Sequence, residues 1–148
     1  MLDRRPGSAT RALALAFVVA SGALACSTTR EVRETEFSDI QRHYTQLVRW
    51  AQWDSAKGYV DPEAMSSFET QTAAFGRVHF TDYAIRGVQY GEDGSTATVQ
   101  VTYYAYQRSA LVAFAFEEQQ EWSRPDGGAW RVRSTFAQRD MQPGEGMF

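Results

Sequence analysis

The order of apolar and polar positions divides the chain into four parts. An apolar run over residues 12–20 follows basic residues, and residues 27–36 are polar apart from one valine. Residues 38–57 then carry apolar side chains at helical spacing, which predicts a first helix. From residue 77 onward the apolar positions recur at every second residue, which is the period of a strand. The pattern therefore predicts helices first and a sheet afterwards.

Local sequence signals give the predicted ends of the two helices. Ser38 with Gln41 three residues later is a capping-box pair, so the first helix is expected to begin at Ser38. Asp61 followed by Pro62 predicts the start of a second helix, because aspartate caps helices and proline fits their first turn. This helix is expected to end at Gly76.

The second half of the chain predicts four strands joined by short turns. The predicted strands cover residues 77–90, 96–103, 111–123 and 130–136. The first strand is expected to kink near Thr81 and Asp82, and residues 138–148 are expected to form a flexible tail. Sequential hairpins favour antiparallel pairing. We therefore predict an α+β domain over residues 38–137, with two N-terminal helices packed on a curved four-stranded meander.

The leader ends at Cys26, the one cysteine of the chain. A basic start, a short apolar core and small residues before Cys26 are typical of an export signal, here residues 1–25. The end of this leader resembles the lipobox of bacterial lipoproteins, which implies lipidation of Cys26 and a polar tether over residues 26–37. Ser27 rather than aspartate after the cysteine implies the outer membrane, facing the periplasm. An ordinary secretory signal cut near Ala25 is the alternative.

Charge and composition exclude several classes of function. The formal net charge of −3 lacks the basic excess of a nucleic-acid-binding protein, so the partners expected are the membrane, through the lipid, and an envelope protein. Lipidation of Cys26 would leave no thiol for a disulfide, a metal site or a nucleophile. His43 and His79 lie far apart and form no metal-ligand pattern. We expect no metal and no cofactor, because glycine patterns for nucleotides are also missing.

The order of elements resembles the NTF2-like, or cystatin-like cone, superfamily. The segments that carry the resemblance are residues 50–54, residues 58–63 and the meander that ends in residues 120–132. The pattern is similar to small bacterial lipoproteins of this superfamily without an assigned role. The resemblance implies the fold, a cone that in some members is a catalytic cavity, and for many relatives a homodimer.

A set of polar side chains is expected on the inner face of the sheet. If Val112, Phe114 and Phe116 face the core, alternation places Glu118 and Gln120 on the same face. Tyr103 lies inward on the neighbouring strand, so Glu118 and Tyr103 would form a candidate acid and its hydroxyl partner. A bulge would reverse this alternation, and the inward residues would then be Glu117, Gln119 and Glu121.

Tyr104 and Tyr106 come directly after the predicted strand 96–103 and continue its alternation on the face opposite Val99 and Val101. If the helices cover the inner face, these tyrosines would lie on an open surface suited to a protein interface. The alternative is that tyrosine simply favours strands. The sequence therefore predicts a lipid-anchored, non-catalytic binding or scaffold domain. The alternative is a small-molecule enzyme or carrier that uses the cone and its inward carboxylate.

Overall fold

A computed structural model describes the backbone of residues 21–107, 109 and 112–139, and their side chains from Glu31 onward. Most of the predicted leader and residues 140–148 of the predicted tail lie outside the described residues. The side chain of Cys26 also lies outside them. Within the part of the chain that is described, no helix is long and apolar enough to cross a membrane.

The described strands form one antiparallel sheet in the order β1-β2-β3-β4. The strands are β1 (Val78–Tyr90), β2 (Thr96–Gln107), β3 (Val112–Ser123) and β4 (Arg131–Arg139). Each strand pairs with the next along the chain, as hairpins require. The α+β class and the four-stranded antiparallel meander are therefore confirmed.

The first strand is irregular and the second is not. The pairing of β1 with β2 shifts register between Phe80 and Asp82 and again between Ile85 and Gly87. The first shift lies at the predicted kink, which is confirmed. The pairing of β2 with β3 is continuous over the whole length of both strands. The face on which each β3 side chain lies is therefore fixed by strict alternation.

The first helix differs at both ends from the prediction. Helix α1 spans Ser21–Arg49, so the expected tether is helical and Ser38 lies inside the helix rather than at its start. The capping signal fails because Phe37 is only 1% exposed and packs in the core, which holds the backbone before Ser38 in the helix. Arginine and glutamate, which are frequent in residues 30–36, also favour helix.

Helix α1 ends at Arg49 instead of continuing to Lys57. Ala51 has a φ of 53°, and its amide donates to the carbonyl of Val48 over 2.9 Å. A left-handed residue cannot continue an α-helix, so the chain turns here before the short helix α2 (Trp53–Ala56). Alanine seldom adopts this conformation, and for that reason the sequence carries no signal of the break.

The start of the second predicted helix is confirmed. The Asp61 side chain accepts a hydrogen bond from the amide of Glu63 over 2.8 Å, and Pro62 opens a 3-10 turn that leads into α3 (Met65–Ala73). A further 3-10 turn over Ala74–Arg77 contains Gly76 and ends the helical region. This part of the chain follows its local signals closely.

Two groups of aromatic side chains fill the space between the helices and the sheet. At one end Phe37 lies 4.7 Å from Trp130 and 5.6 Å from Trp122, measured between ring centroids. At the other end Phe75 lies 4.6 Å from Phe116 and 5.7 Å from Trp53. Buried aromatic rings of this size supply most of the apolar contact in the core.

The last strand extends beyond its predicted end. β4 continues to Arg139, and Gln138 and Arg139 pair with Phe116 and Ala115 of β3. The prediction that the flexible tail begins at residue 138 is therefore wrong for these two residues. They continue the strand because the backbone groups of β3 beside them are available as hydrogen-bond partners.

Candidate functional site

Strict alternation along β3 places Glu118 and Gln120 on the inner face of the sheet. Glu118 is 1% exposed and Gln120 is 0% exposed. Glu117, Gln119 and Glu121, which a bulge would have turned inward, are all exposed. The predicted inward position of Glu118 is therefore confirmed, because no bulge interrupts the pairing of β2 with β3.

Both carboxylate oxygens of Glu118 accept hydrogen bonds from buried side chains. The Tyr44 hydroxyl of α1 donates to Oε1 over 2.9 Å. The Tyr103 hydroxyl of β2 donates to Oε2 over 2.8 Å, and the Gln120 side-chain amide donates to the same oxygen over 2.7 Å. The predicted pairing of Glu118 with Tyr103 is present. The second tyrosine, Tyr44, comes from the helix.

A wider set of polar side chains supports this carboxylate. Trp122 and Gln41 both donate to the side-chain carbonyl of Gln120, over 3.0 and 3.1 Å. The Thr45 hydroxyl accepts from Gln41 over 2.8 Å and from Gln120 over 3.2 Å. We refer to Glu118 and its connected partners as the buried polar cluster. Its members are Gln41, Tyr44, Thr45, Tyr103, Glu118, Gln120, Trp122 and Ser134.

Burial shifts the pKa values of the titratable side chains in the cluster. Removal from water raises the pKa of Glu118, and the hydrogen bonds that it accepts act in the opposite direction. Burial also raises the pKa of the Tyr44 and Tyr103 hydroxyls, and the nearby charge of Glu118 raises both further. The tyrosines therefore remain protonated donors, and Glu118 holds its proton more readily than an exposed glutamate does.

The cluster is closed to solvent. Tyr44, Thr45 and Tyr103 are each 0% exposed, so the helix and the sheet enclose the carboxylate completely. Three buried donors satisfy its two oxygens, which is the arrangement expected of a structural polar network. These hydrogen bonds connect α1 to β2, β3 and β4. A substrate would have to displace protein contacts to reach Glu118.

The sequence interpretation missed four members of this cluster. Gln41, Tyr44 and Thr45 lie on the same face of α1, and the fourth, Ser134, shares a 2.7 Å hydrogen bond with the Tyr44 hydroxyl. The available signal was that Gln41 and Thr45 occupy core-facing positions at helical spacing from Phe37 and Val48. Polar residues on the buried face of a helix require partners on the opposing sheet.

The outer face of β2 is less open than predicted. Tyr104 is only 6% exposed, and its hydroxyl accepts a hydrogen bond from Arg86 over 2.5 Å. Tyr106 is half-buried, and its ring lies 5.0 Å from that of His79. The expectation that Tyr104 lies on an open surface is therefore wrong, because the long Arg86 side chain extends along the outer face to its hydroxyl.

The histidines and acids of the described residues do not form a metal centre. No group of three or more histidine, cysteine, aspartate or glutamate side chains lies close enough to hold a metal ion within the described part of the chain. His43 is exposed on α1, with its ring 5.9 Å from that of Tyr59. His79 is exposed on β1, with its ring beside that of Tyr106.

Comparison with solved structures supports the fold. A ketosteroid isomerase-like protein from Erwinia carotovora atroseptica SCRI1043 is similar over 68% of this chain and 89% of its own, with a TM-score of 0.51 and 15% identity. The intermembrane space region of the chloroplast protein ARC6 is similar over 66% of this chain and 95% of its own, with a TM-score of 0.40 and 11% identity. The first likeness supports the NTF2-like fold.

Comparisons at the level of sequence give no relative. No family model matches the chain. No curated protein matches it either.

Proposed function

We propose that this chain is a lipid-anchored protein of the bacterial cell envelope whose α+β domain binds a protein partner without catalysing a reaction. The observation that carries the non-catalytic part of this proposal is the closed state of the buried polar cluster. Glu118 is 1% exposed, and each of its oxygens is already paired with a side chain of the same domain. Because the cone is filled by its own side chains, Glu118 is not open to a substrate, and the domain is better suited to binding a partner on its surface.

The outer surface offers one region for such a partner. β1 lies at an edge of the sheet, and Ile85 and Val88 on this strand are each 40% exposed. Exposed edge strands and exposed apolar side chains are common features of protein interfaces. A second copy of the chain and a different envelope protein would both fit this edge.

The anchor is tested by a single substitution. We expect wild-type protein to incorporate labelled palmitate and to sediment with outer membranes, because acyl chains on Cys26 provide the membrane affinity. The Cys26→Ser variant is expected to lose both the label and the sedimentation. Labelling of this variant would contradict lipidation at Cys26, and sedimentation of the wild type with inner membranes would contradict the outer-membrane assignment.

The partner is tested by photo-crosslinking in intact cells. A photoreactive residue at Val88 is expected to give a reproducible crosslinked species whose composition mass spectrometry identifies. Thr135, which is exposed on the opposite edge strand β4, provides the matched control position. A crosslink to a second copy would show a homodimer. No product from Val88, or the same products from both positions, would contradict a partner at this edge.

The second candidate is a small-molecule enzyme or carrier. It is favoured by one observation, the placement of a buried carboxylate between the hydroxyls of Tyr44 and Tyr103. The similar solved structure is described as ketosteroid isomerase-like, so ketosteroids belong among the probes. Saturable binding or turnover of such a probe, lost in Glu118→Gln, would support this candidate. No binding to either protein would support the non-catalytic proposal.

A further inference from the structure

The first described side chains of α1 lie at one end of the sheet. Phe37 packs against Trp130 at 4.7 Å and against Tyr90 at 5.6 Å, between ring centroids. Glu36 forms an ion pair with Arg124 over 3.1 Å. The beginning of the domain is therefore held in place at this end by both apolar contacts and a charge pair.

The same end carries two of the chain reversals of the meander. The reversal between β1 and β2 spans residues 91–95, and the one between β3 and β4 spans residues 124–130. Val32 and Arg33 of α1 line a shallow groove together with residues of both reversals. We call this end of the domain, with both reversals and residues 31–37 of α1, the turn end.

The position of Cys26 in the chain limits how far the turn end can lie from a lipid anchor. Cys26 precedes Glu31 by five residues, which span at most about 18 Å when fully extended and about 8 Å as helix. The opposite end of the sheet lies farther away by the length of β2, a strand of 12 residues. At about 3.3 Å per residue this strand measures about 40 Å, more than twice the greatest reach of the five residues.

The direction of α1 favours a domain that stands upright on the membrane surface. The backbone of α1 is helical from Ser21 to Arg49, so Cys26 lies on the continuation of the helix beyond the turn end. A continuous helix holds its two ends apart along one axis, whereas a flexible tether would let the domain lie on its side. The anchor and the sheet are therefore separated along the direction of the helix.

The side chains exposed at the turn end are suited to a position that faces a lipid surface without entering it. Glu92, Asp93 and Asp126 are exposed acids, and hydrogen bonds from Ser95 lower the pKa of Asp93 so that it stays charged. Among the described residues, Val32 is the one large exposed apolar side chain in this region. Charged turns of this kind remain in the aqueous layer above the headgroups.

We propose that the turn end faces the membrane and that the opposite end of the cone points away from it. The opposite end carries a groove lined by Phe75, Phe114 and Phe116, which is thereby presented to the aqueous compartment. The proposal rests on the lipidation of Cys26 proposed above, and it adds the orientation of the domain on the lipid surface.

Fluorescence energy transfer from the protein to the membrane tests the orientation. Full-length lipidated protein carrying Glu92→Cys or Arg77→Cys would be labelled with a donor dye and incorporated into phosphatidylethanolamine–phosphatidylglycerol vesicles that contain headgroup-labelled acceptors. The two positions flank opposite ends of β1, and both side chains are exposed. Transfer from Glu92→Cys is expected to be at least about twofold more efficient, because the sheet separates the labels by about 40 Å.

The controls distinguish failure of the orientation from failure of the anchor. Lipidated protein without an introduced cysteine should take up no dye, because Cys26 is the one cysteine of the chain and its sulfur is alkylated. Circular dichroism checks that both variants fold. Equal transfer from the two positions in palmitate-labelled protein would overturn the orientation alone. Protein that takes up dye at Cys26 and does not bind vesicles would overturn the anchor and, with it, the orientation.

Discussion

Replacing Glu118 by leucine and by glutamine separates two roles of this residue, filling space and accepting hydrogen bonds. In Glu118→Leu the Tyr103 hydroxyl loses the acceptor to which it donates, and Gln120 loses one of the two acceptors of its amide. The Tyr44 hydroxyl keeps its 2.7 Å hydrogen bond to Ser134. Leucine therefore leaves two buried donor sites without acceptors.

The expected loss follows from the number of unpaired donors. A buried donor without an acceptor costs about 1–3 kcal/mol, so Glu118→Leu should lower the free energy of unfolding by about 2–6 kcal/mol. This is a large part of the roughly 5–15 kcal/mol that stabilises a typical domain. Glutamine can keep its carbonyl at the Oε2 position and direct its amide towards the Tyr44 hydroxyl, which then donates to Ser134. Glu118→Gln should therefore stay within about 1 kcal/mol of the parent.

Urea unfolding at pH 7 measures this difference. The soluble Cys26→Ser protein without residues 1–25 provides the background, and the fluorescence of the buried Trp122 and Trp130 reports unfolding. Circular dichroism checks that the variants retain the fold. Equal unfolding midpoints for Glu118→Leu and Glu118→Gln would refute the reasoning, because the buried polar cluster would then contribute no acceptor that the domain needs.

Three further outcomes are expected for the same soluble protein. Because burial raises the pKa of Glu118, the part of the stability that comes from its protonation in the folded state is complete below about pH 4.3 and is lost as the pH rises through the folded pKa. Stability measured against pH should therefore fall more steeply than in Glu118→Gln, by at most about 1.4 kcal/mol per pH unit, and parallel profiles would contradict this. Asp61→Ala should cost about 1 kcal/mol in urea unfolding, because the amide of Glu63 loses its cap, whereas Asp61→Asn should cost less. Phe75→Ala should cost about 3–5 kcal/mol by creating a cavity beside Phe116, and a loss below 1 kcal/mol in thermal unfolding would contradict the packing.

The period-two pattern of the second half predicted the sheet and the inward position of Glu118. This succeeded because β2 and β3 pair without a bulge, so alternation counted from Phe114 still holds at Glu118. The start of α3 was also predicted, because Asp61 and Pro62 act within one turn of the chain. Strong local signals and regular pairing are the two conditions under which sequence reasoning worked here.

The parts that sequence reasoning missed depend on distant partners. The start of α1 was misplaced because the core contacts of Phe37 with Trp122 and Trp130, more than 80 positions away, outweigh a local cap at Ser38. The role of Tyr44 was missed because its partner Ser134 lies 90 positions along the chain. Tyr104 was expected on an open surface. Its burial depends on the Arg86 side chain, which extends from the irregular strand β1 to the hydroxyls of Thr102 and Tyr104.

The contact between the first helix and the last strand also sets the order in which the protein can mature. The buried face of α1 carries Phe37 and Tyr44, and several of their partners, among them Trp122, Trp130 and Ser134, lie in the last part of the domain to be synthesised. Since chains emerge from the ribosome amino terminus first, this face is not fully covered until the segment through Ser134 is complete. Contacts of such long sequence separation also slow folding. A nascent chain thus exposes an amphipathic helix, which is the kind of surface that holding chaperones protect.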